Sequence, residues 1–170
     1  MSVEYNLDED ILEFLRAEPV VAAISRMMTK ISTKNMPTAA VGIDRDDVSY
    51  RLYYNPIFMG ALSRPQRKSI LMHEFLHVIL GHIRRRNPDG REKVSQNWNI
   101  AIDLSINCHI PNLPVGVKIP GLTDKNLNPG EEDKGMQPCV PGLGRFKHMP
   151  TNMTAEWYYE QIKKDNKEGI

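Results

Sequence analysis

The sequence predicts an α+β fold, and three observations support that prediction. Apolar residues recur at helical spacing in several segments, which indicates amphipathic helices. Two short β-prone segments lie close together before the longest of these helices. The length of 170 residues, with 41% hydrophobic and 25% charged residues, is ordinary for a globular protein. We therefore expect one domain over residues 1–170, in which helices pack against a small sheet or hairpin.

The first elements are a helix and a hairpin. Helical spacing of apolar residues extends from Asp8 to Arg26, with Pro19 as a kink or break. Thr38 to Ile43 and Val48 to Tyr54 are β-prone and flank a short polar segment, so they predict a hairpin. Asn55 and Pro56 then end the second strand.

A long helix follows and carries the most informative motif of the chain. Ser63 is a suitable N-cap and Pro65 fits the first turn. Inside the helix, His73-Glu74-Phe75-Leu76-His77 forms the pattern H-E-x-x-H. Residues four apart lie on one helix face, so both imidazoles can converge on one zinc ion. Glu74 is well placed as the general base that takes a proton from a water molecule at that ion.

The alternative to a metal site is an apolar helix that carries satisfied core histidines. The motif would occur by chance in roughly one of a hundred sequences of this composition. Burying two histidines and a glutamate together is costly unless something compensates their polar groups, and a metal ion does so. The motif therefore favours a zinc-dependent hydrolase.

A catalytic zinc ion usually has a third protein ligand. The metzincin pattern is absent, because Leu80 and Ile83 stand where it needs a Gly and a His or Asp. His82 is expected to point away, about 140° round a continuing helix from His77. We expect the basic segment formed by Arg84–Arg86 with Arg91 and Lys93 to cap this helix, which stops at the turn of residues 87–90.

The third predicted ligand is Asp103, on the predicted helix from Gln96 to Asn107. It lies in a polar stripe with Asn99 and Asn107, one turn to either side. We expect these two asparagines to orient Asp103 or the histidines. The alternative is that Asp103 pairs with one of the arginines at positions 84–86.

The rest of the chain predicts a loop and a closing helix. Residues 110–150 are rich in Pro, Gly and Asn, and such a long loop is typical of a lid or a cleft wall. His109, Arg145 and His148 are candidate oxyanion stabilisers near it. Residues 151–168 contain the closing helix, which docks through Trp157 and Tyr158.

These motifs together resemble a known family. The segments that carry the resemblance are Asn55-Pro56, His73 through Arg85, Trp98 through Asn107, and Thr154 through Tyr158. Over about Tyr50 to Gln161 they resemble the zincin-like metallopeptidase domain of bacterial and phage proteins, which in longer members precedes a von Willebrand factor A-like domain. The resemblance implies a zincin-type peptidase with Asp103 as a ligand, and we expect the domain to stand alone here. In zincins a strand near the active-site helix can bind an extended peptide by edge pairing, and Tyr50 to Tyr54 is the candidate for that role. The alternative is that these residues belong to a purely structural hairpin.

The sequence therefore predicts a zinc metallopeptidase that binds one Zn²⁺ per chain and acts on a protein or peptide. Two alternatives stay open: a non-catalytic zinc-stabilised interaction domain, and a metal-dependent hydrolase of a non-peptide substrate. The net charge of +1 gives no reason to expect a nucleic-acid or membrane partner. The acidic N-terminal segment lacks a signal-peptide pattern, so we expect a cytoplasmic location with Cys108 and Cys139 free.

Overall fold

The computed structural model describes residues 5–44, 48–85, 88, 90 and 95–168. Within these residues the fold is α+β, with six α-helices, three strands and one 3-10 turn. In chain order they are α1 (Leu7–Ala17), α2 (Pro19–Arg26), β1 (Met28–Ser32), β2 (Ala39–Ile43), β3 (Tyr50–Tyr54), α3 (Pro56–Ala61), α4 (Arg64–Ile79), α5 (Gln96–Asn107), the 3-10 turn Gly144–Phe146 and α6 (Ala155–Glu168).

The predicted N-terminal helix is two helices. The side chain of Asn6 accepts a hydrogen bond from the amide of Asp8 and caps α1. Glu18 separates the two helices, and Pro19 is the first residue of α2. The predicted break at Pro19 is confirmed, because proline cannot supply the amide that would continue α1.

The sheet has the order β1-β3-β2. The predicted hairpin is confirmed, since β2 pairs antiparallel with β3 and Val41 lies opposite Leu52. The strand β1 was not predicted, and it pairs in parallel with β3. Because β3 is paired on both sides, the prediction that Tyr50–Tyr54 offers an edge to a peptide is wrong. The outer strands, among those described, are β1 and β2, and β2 is the one that packs beside α4.

The short helix α3 was also not predicted, although its signal stands in the sequence. Asn55 Oδ1 accepts hydrogen bonds from the amides of Ile57 and Phe58, and Pro56 is the first helical residue. An asparagine cap followed by proline is a helix start as well as a strand end.

Two clusters of buried side chains stabilise the fold. The first cluster joins α1, α2, the sheet, α3 and α4, and includes Phe14, Leu52 and Phe75. The second cluster joins α5, α6 and the segment between them, and includes Trp98 and Tyr158. The helices α4 and α5 thus belong to different clusters, and they contact each other where the clusters meet.

The segment between α5 and α6, residues 108–154, contains a single 3-10 turn and otherwise irregular backbone. Both cysteines are free. No helix in the described part of the chain combines the length and the apolar character needed to cross a lipid bilayer.

Candidate active site

The helix α4 positions the H-E-x-x-H motif in its last two turns. At its start, the amide of Ser63 donates to Oε1 of Gln66 at 3.0 Å, which closes a capping box. One face buries Leu71 and Phe75 completely in the first cluster, and the Phe75 ring packs edge-on against Phe14. The packing of this face fixes the rotation of α4 and turns the motif toward α5.

Three side chains converge between α4 and α5. Nε2 of His73 lies 2.9 Å from Nε2 of His77. Oδ1 of Asp103 lies 3.5 Å from Nε2 of His73 and 3.3 Å from Nε2 of His77. Among the described residues this trio is the group of His, Cys, Asp and Glu side chains compact enough to hold one metal ion. The structure therefore brings together the three residues that the sequence suggested as ligands.

Asn107 contacts the His73 ring at Nδ1, the ring nitrogen that does not face the cluster. Its Nδ2 donates to the carbonyl of Cys139 at 2.8 Å, which orients the amide so that Oδ1 faces Nδ1 of His73 at 2.7 Å. Nδ1 of His73 must then carry the proton, because an amide oxygen only accepts. In the neutral imidazole, this leaves a lone pair on Nε2 that points into the cluster.

His82 contacts His77 from the side away from the cluster. The two Nδ1 atoms are 3.2 Å apart, and the ring centroids are 5.3 Å apart. Burial, together with the positive charges of the neighbouring His77 and Arg85, lowers the pKa of His82 to about 4. The prediction that His82 points away is wrong, because α4 ends at Ile79 and the chain turns back instead of continuing as a helix.

The donor set fits a divalent metal ion. Two imidazole nitrogens and a carboxylate oxygen are typical ligands of a catalytic zinc. A tetrahedral zinc site with bonds of about 2.0–2.1 Å holds its ligand atoms roughly 3.3 Å apart. The observed separations are 2.9, 3.3 and 3.5 Å. Three acceptor atoms this close repel one another unless a cation or a shared proton lies between them, so the cluster matches a metal site both in geometry and in charge.

Glu74 is buried beside the cluster and is held by the edge strand. Its Oε2 accepts a hydrogen bond from the amide of Val41 on β2 at 2.9 Å. Burial raises the pKa of Glu74, while the neighbouring His73 and the Val41 hydrogen bond act in the opposite direction. A carboxyl group with a raised pKa is better matched to proton transfer near neutral pH than an exposed one.

Two cavities border the cluster and share Ala39, Glu74 and Asp103 in their walls. The smaller has a volume of about 250 Å³ and lies on the His73 side. Its apolar wall consists of Ile70, Leu113, Met136 and Pro138. The larger, of about 490 Å³, is bordered by His77, His82, Asn99 and Ile102. Glu74 and Asp103 thus lie in the wall that is common to two cavities beside β2, which together we call the cleft.

The other residues singled out in the sequence differ in how close they lie to the cluster. Asn99 borders the larger cavity beside His77 and Asp103. His109 borders a different cavity with Glu13, Lys68 and Leu76, away from the cluster, so the structure does not support its oxyanion role.

Arg145 and His148 border another cavity, between α5 and α6, and Nε2 of His148 lies 2.8 Å from Oδ2 of Asp165. This placement does not support an oxyanion role for His148. Arg145 in addition interacts with the side chain of Cys139, which borders the smaller cavity at the cluster.

Two of the three arginines that could have paired with Asp103 lie within the described residues, and both have other partners. Nε of Arg84 donates to the hydroxyl of Tyr50 at 2.9 Å, and Arg85 lies 2.9 Å from Glu156. Arg86 lies outside the described residues, as do Arg91 and Lys93 of the same basic segment.

Sequence reasoning did not identify two contributors to the site. The amide of Val41 is a backbone group, so residue type gave no signal for it. His82 had a signal, because glycine at position 81 commonly ends a helix. The end of α4 was instead predicted several residues later, at the turn that contains Pro88.

Comparisons with known proteins place this geometry in a family. A protein of Thermotoga maritima that is named "Uncharacterized protein" is 36% identical over 62 residues, which are 36% of this chain and 15% of that protein. The match thus covers a small part of that relative. No solved structure matches the chain. The model of the family described as "Putative metallopeptidase domain" matches residues 2–169, and the chain therefore belongs to this family, whose description supports a metal-dependent peptidase.

Proposed function

We propose that the chain is a zincin-like, zinc-dependent peptidase in which His73, His77 and Asp103 hold the metal and Glu74 is the general base. The observation that carries the proposal is the convergence of the three ligand atoms within 3.5 Å of one another. The family description supports the peptidase activity at the level of class. Zinc is favoured over harder cations because two of the three ligands are imidazoles.

Glu74 supplies the acid–base chemistry in this proposal. The metal ion, when bound, polarises the scissile carbonyl and makes a water molecule more acidic. Glu74 takes the proton from the attacking water and then gives it to the leaving amine. The Val41 amide holds one carboxylate oxygen in place at 2.9 Å, so the carboxylate keeps a fixed orientation during both transfers.

We propose that the substrate binds along the free edge of β2. Thr38 accepts from the amide of Asn55, and the amide of Asp44 donates to Ser49, so the even-numbered residues of this strand face β3. The peptide groups of Ala39, Val41 and Ile43 consequently face away from β3. Because the Val41 amide donates to Glu74, the groups offered to a peptide are the Val41 carbonyl and the peptide groups of Ala39 and Ile43. An extended peptide can add to such an edge by backbone hydrogen bonds. It would then pass along the cleft that contains Glu74.

The smaller cavity selects the side chain next to the scissile bond. Its wall of Ile70, Leu113, Met136 and Pro138 is apolar, and His73 and Glu74 also border it. A volume of about 250 Å³ suits an aliphatic side chain such as leucine or methionine. We therefore expect peptides with such a residue beside the cleavage point to be preferred.

Metal content tests the site. After dialysis against metal-free buffer, the wild type is expected to retain about one zinc per chain, measured by mass spectrometry, and Asp103→Ala is expected to lose it. The matched control is Asp124→Ala, an exposed loop aspartate whose carboxylate accepts from the amide of Gly121. Equal zinc in the wild type and in Asp103→Ala would contradict the proposed ligand set.

Activity tests the role of Glu74. On a mixed peptide library, Glu74→Gln is expected to keep the zinc and to lose activity by about 10²-fold or more. Glu132→Gln, a change at a largely exposed loop position, is the control and is expected to remain active. A Glu74→Gln variant that cleaves peptides as fast as the wild type would contradict the proposal.

The alternative of a non-catalytic zinc domain would need a fourth protein ligand. His82 and His109 were the candidates, and neither belongs to the compact metal-binding group among the described residues. The open coordination position that a catalytic site needs is therefore compatible with the geometry.

A further inference from the structure

We propose that His82 is a positioning residue, which accepts a hydrogen bond from His77 and fixes that ring as a metal ligand. This inference rests on the metal site proposed above. It assigns a role to a buried histidine that neither coordinates the metal nor takes part in the proposed proton transfers.

The backbone after α4 places His82 against the residue it is proposed to support. The amide of His82 donates to the carbonyl of His77 at 2.8 Å, and the amide of Gly81 donates to the carbonyl of Val78 at 3.0 Å. This pair of bonds is the Schellman arrangement that ends many helices. His82 is thus tied through its backbone to His77 itself, and its side chain starts beside the same turn of α4.

Gly81 makes this arrangement accessible. Its φ of +66° lies in the left-handed region, which a residue with a Cβ atom rarely adopts. A Cβ atom at this position would meet nothing within 4 Å, so the requirement concerns backbone conformation rather than space. The sequence Gly81-His82 after the motif therefore directs the second residue back onto the helix.

Only one direction of the hydrogen bond between His77 and His82 is compatible with metal binding by His77. Nε2 of His77 faces His73 and Asp103, so it must be free of a proton to bind a metal ion. The proton of the neutral His77 ring is then on Nδ1, which lies 3.2 Å from Nδ1 of His82. His82 must accept with that nitrogen. With only 4% of its surface exposed, His82 offers an acceptor that water cannot easily replace.

The two histidine ligands are therefore supported in the same manner. His73 donates from Nδ1 to Asn107 at 2.7 Å, and His77 donates from Nδ1 to His82. Ligating histidines usually donate their second N–H to an acceptor that fixes the tautomer and the ring orientation. The support for His77 comes from within its own helix cap, whereas that for His73 comes from α5.

The test compares three substitutions of His82 in the full chain. Asparagine places an amide oxygen where Nδ1 stood, glutamine moves the amide one methylene further out, and leucine keeps apolar volume without an acceptor. The measurements are the Kd for Zn²⁺ by competition with a chromophoric chelator, and the visible absorption of the Co²⁺-loaded protein. Thermal unfolding of each metal-free variant checks the fold, and His109→Leu is the control for loss of a histidine outside the site.

We expect His82→Leu and His82→Gln to bind Zn²⁺ about 10- to 100-fold more weakly than the wild type. His82→Asn should recover most of the affinity and the Co²⁺ spectrum of the wild type. If His82→Leu does not fold, the comparison of asparagine with glutamine decides the matter.

Two results would overturn the inference while leaving the metal site intact. One is equal affinity in the wild type and all three variants, and the other is equal weakening in all three. A wild type that binds neither Zn²⁺ nor Co²⁺ would instead overturn the proposed function, and this inference with it.

Discussion

Asn107 and His73 form the shortest contact between α5 and the H-E-x-x-H motif, with 2.7 Å between Oδ1 and Nδ1. The other end of the same amide donates to the carbonyl of Cys139. One asparagine thus joins a candidate ligand on α4 to the segment between α5 and α6. The orientation of the His73 ring depends on a residue 34 positions away in the sequence.

Replacing Asn107 should weaken metal binding more than replacing Asn99. Asn107→Ala removes the acceptor for His73, and we expect the Kd for Zn²⁺ to rise about 10- to 100-fold. Asn99→Ala should change it by less than about threefold, since Asn99 borders the cavity without being the acceptor for His73. Competition with a chelator measures both values.

Asn107 is buried, so its loss also affects the fold. Asn107→Asp keeps the acceptor and provides a check, and thermal unfolding of the metal-free variants separates stability from affinity. Equal Kd values for Asn107→Ala and Asn99→Ala would show that the contact with His73 does not orient the ring.

Glu74→Gln should stabilise the metal-free protein at neutral pH. Burial raises the pKa of Glu74 above its ordinary value of 4.5, so the folded state binds this proton more tightly than the unfolded state. As the pH rises through the raised pKa, the wild type loses stability because a buried carboxylate forms. The Glu74→Gln variant has no ionisable group at this position, so it does not lose stability in this way.

The difference between the two proteins should shrink as the pH falls toward 4.5, where the carboxyl group is protonated in both states. Urea unfolding of metal-free wild type and Glu74→Gln between pH 5 and pH 8 measures it. A difference in unfolding free energy that stays constant over this range would contradict the prediction.

Removing the metal should destabilise the wild type. The ligands come from α4 and α5, which belong to different buried clusters, so a bound ion adds a connection between them. At a free Zn²⁺ concentration 100 times the Kd, the free energy of unfolding should rise by about 2.7 kcal/mol. Urea unfolding with zinc and with a chelator measures this change.

The same measurement on Asp103→Ala serves as the control, since a weakened site should give little response to zinc. A wild type with equal stability in zinc and in chelator would argue against a specific site between the two helices.

Met136→Ala should change the preferred substrate. Met136 forms part of the wall of the smaller cavity, and its truncation enlarges the space next to His73 and Glu74. We expect the ratio of kcat/KM for peptides with phenylalanine over those with leucine beside the cleavage point to rise about tenfold. Val115→Ala, a change at an exposed loop position, is the control. An unchanged ratio would exclude this cavity as the specificity pocket.

Local signals in the sequence were sufficient for the motif helix and its candidate third ligand. The spacing of His73 and His77 fixes their common face, and Asp103 is the charged residue in the polar stripe of the next helix. Chain order alone could not show that these helices meet, but a carboxylate on an otherwise apolar helix needs a partner, and the two imidazoles are that partner in the structure.

The missed features depend on tertiary contacts or on competing local signals. The strand β1 follows α2 without a turn that would mark it, and its parallel pairing with β3 is a long-range contact. Without β1, the segment Tyr50–Tyr54 looked like an edge strand. At the end of α4, charged residues after Gly81 suggested a longer helix, although the glycine already marked its end.

The division of the ligands between two buried clusters has a consequence for synthesis. The helix α4 packs in a cluster formed mainly, apart from Ile119 and its neighbours, by residues that precede α5, whereas α5 packs mainly on α6. A chain still leaving the ribosome can thus present His73 and His77 before Asp103 is held in place. We therefore expect the trio to assemble only after α5 has packed against α6, so that metal binding reports completion of the fold.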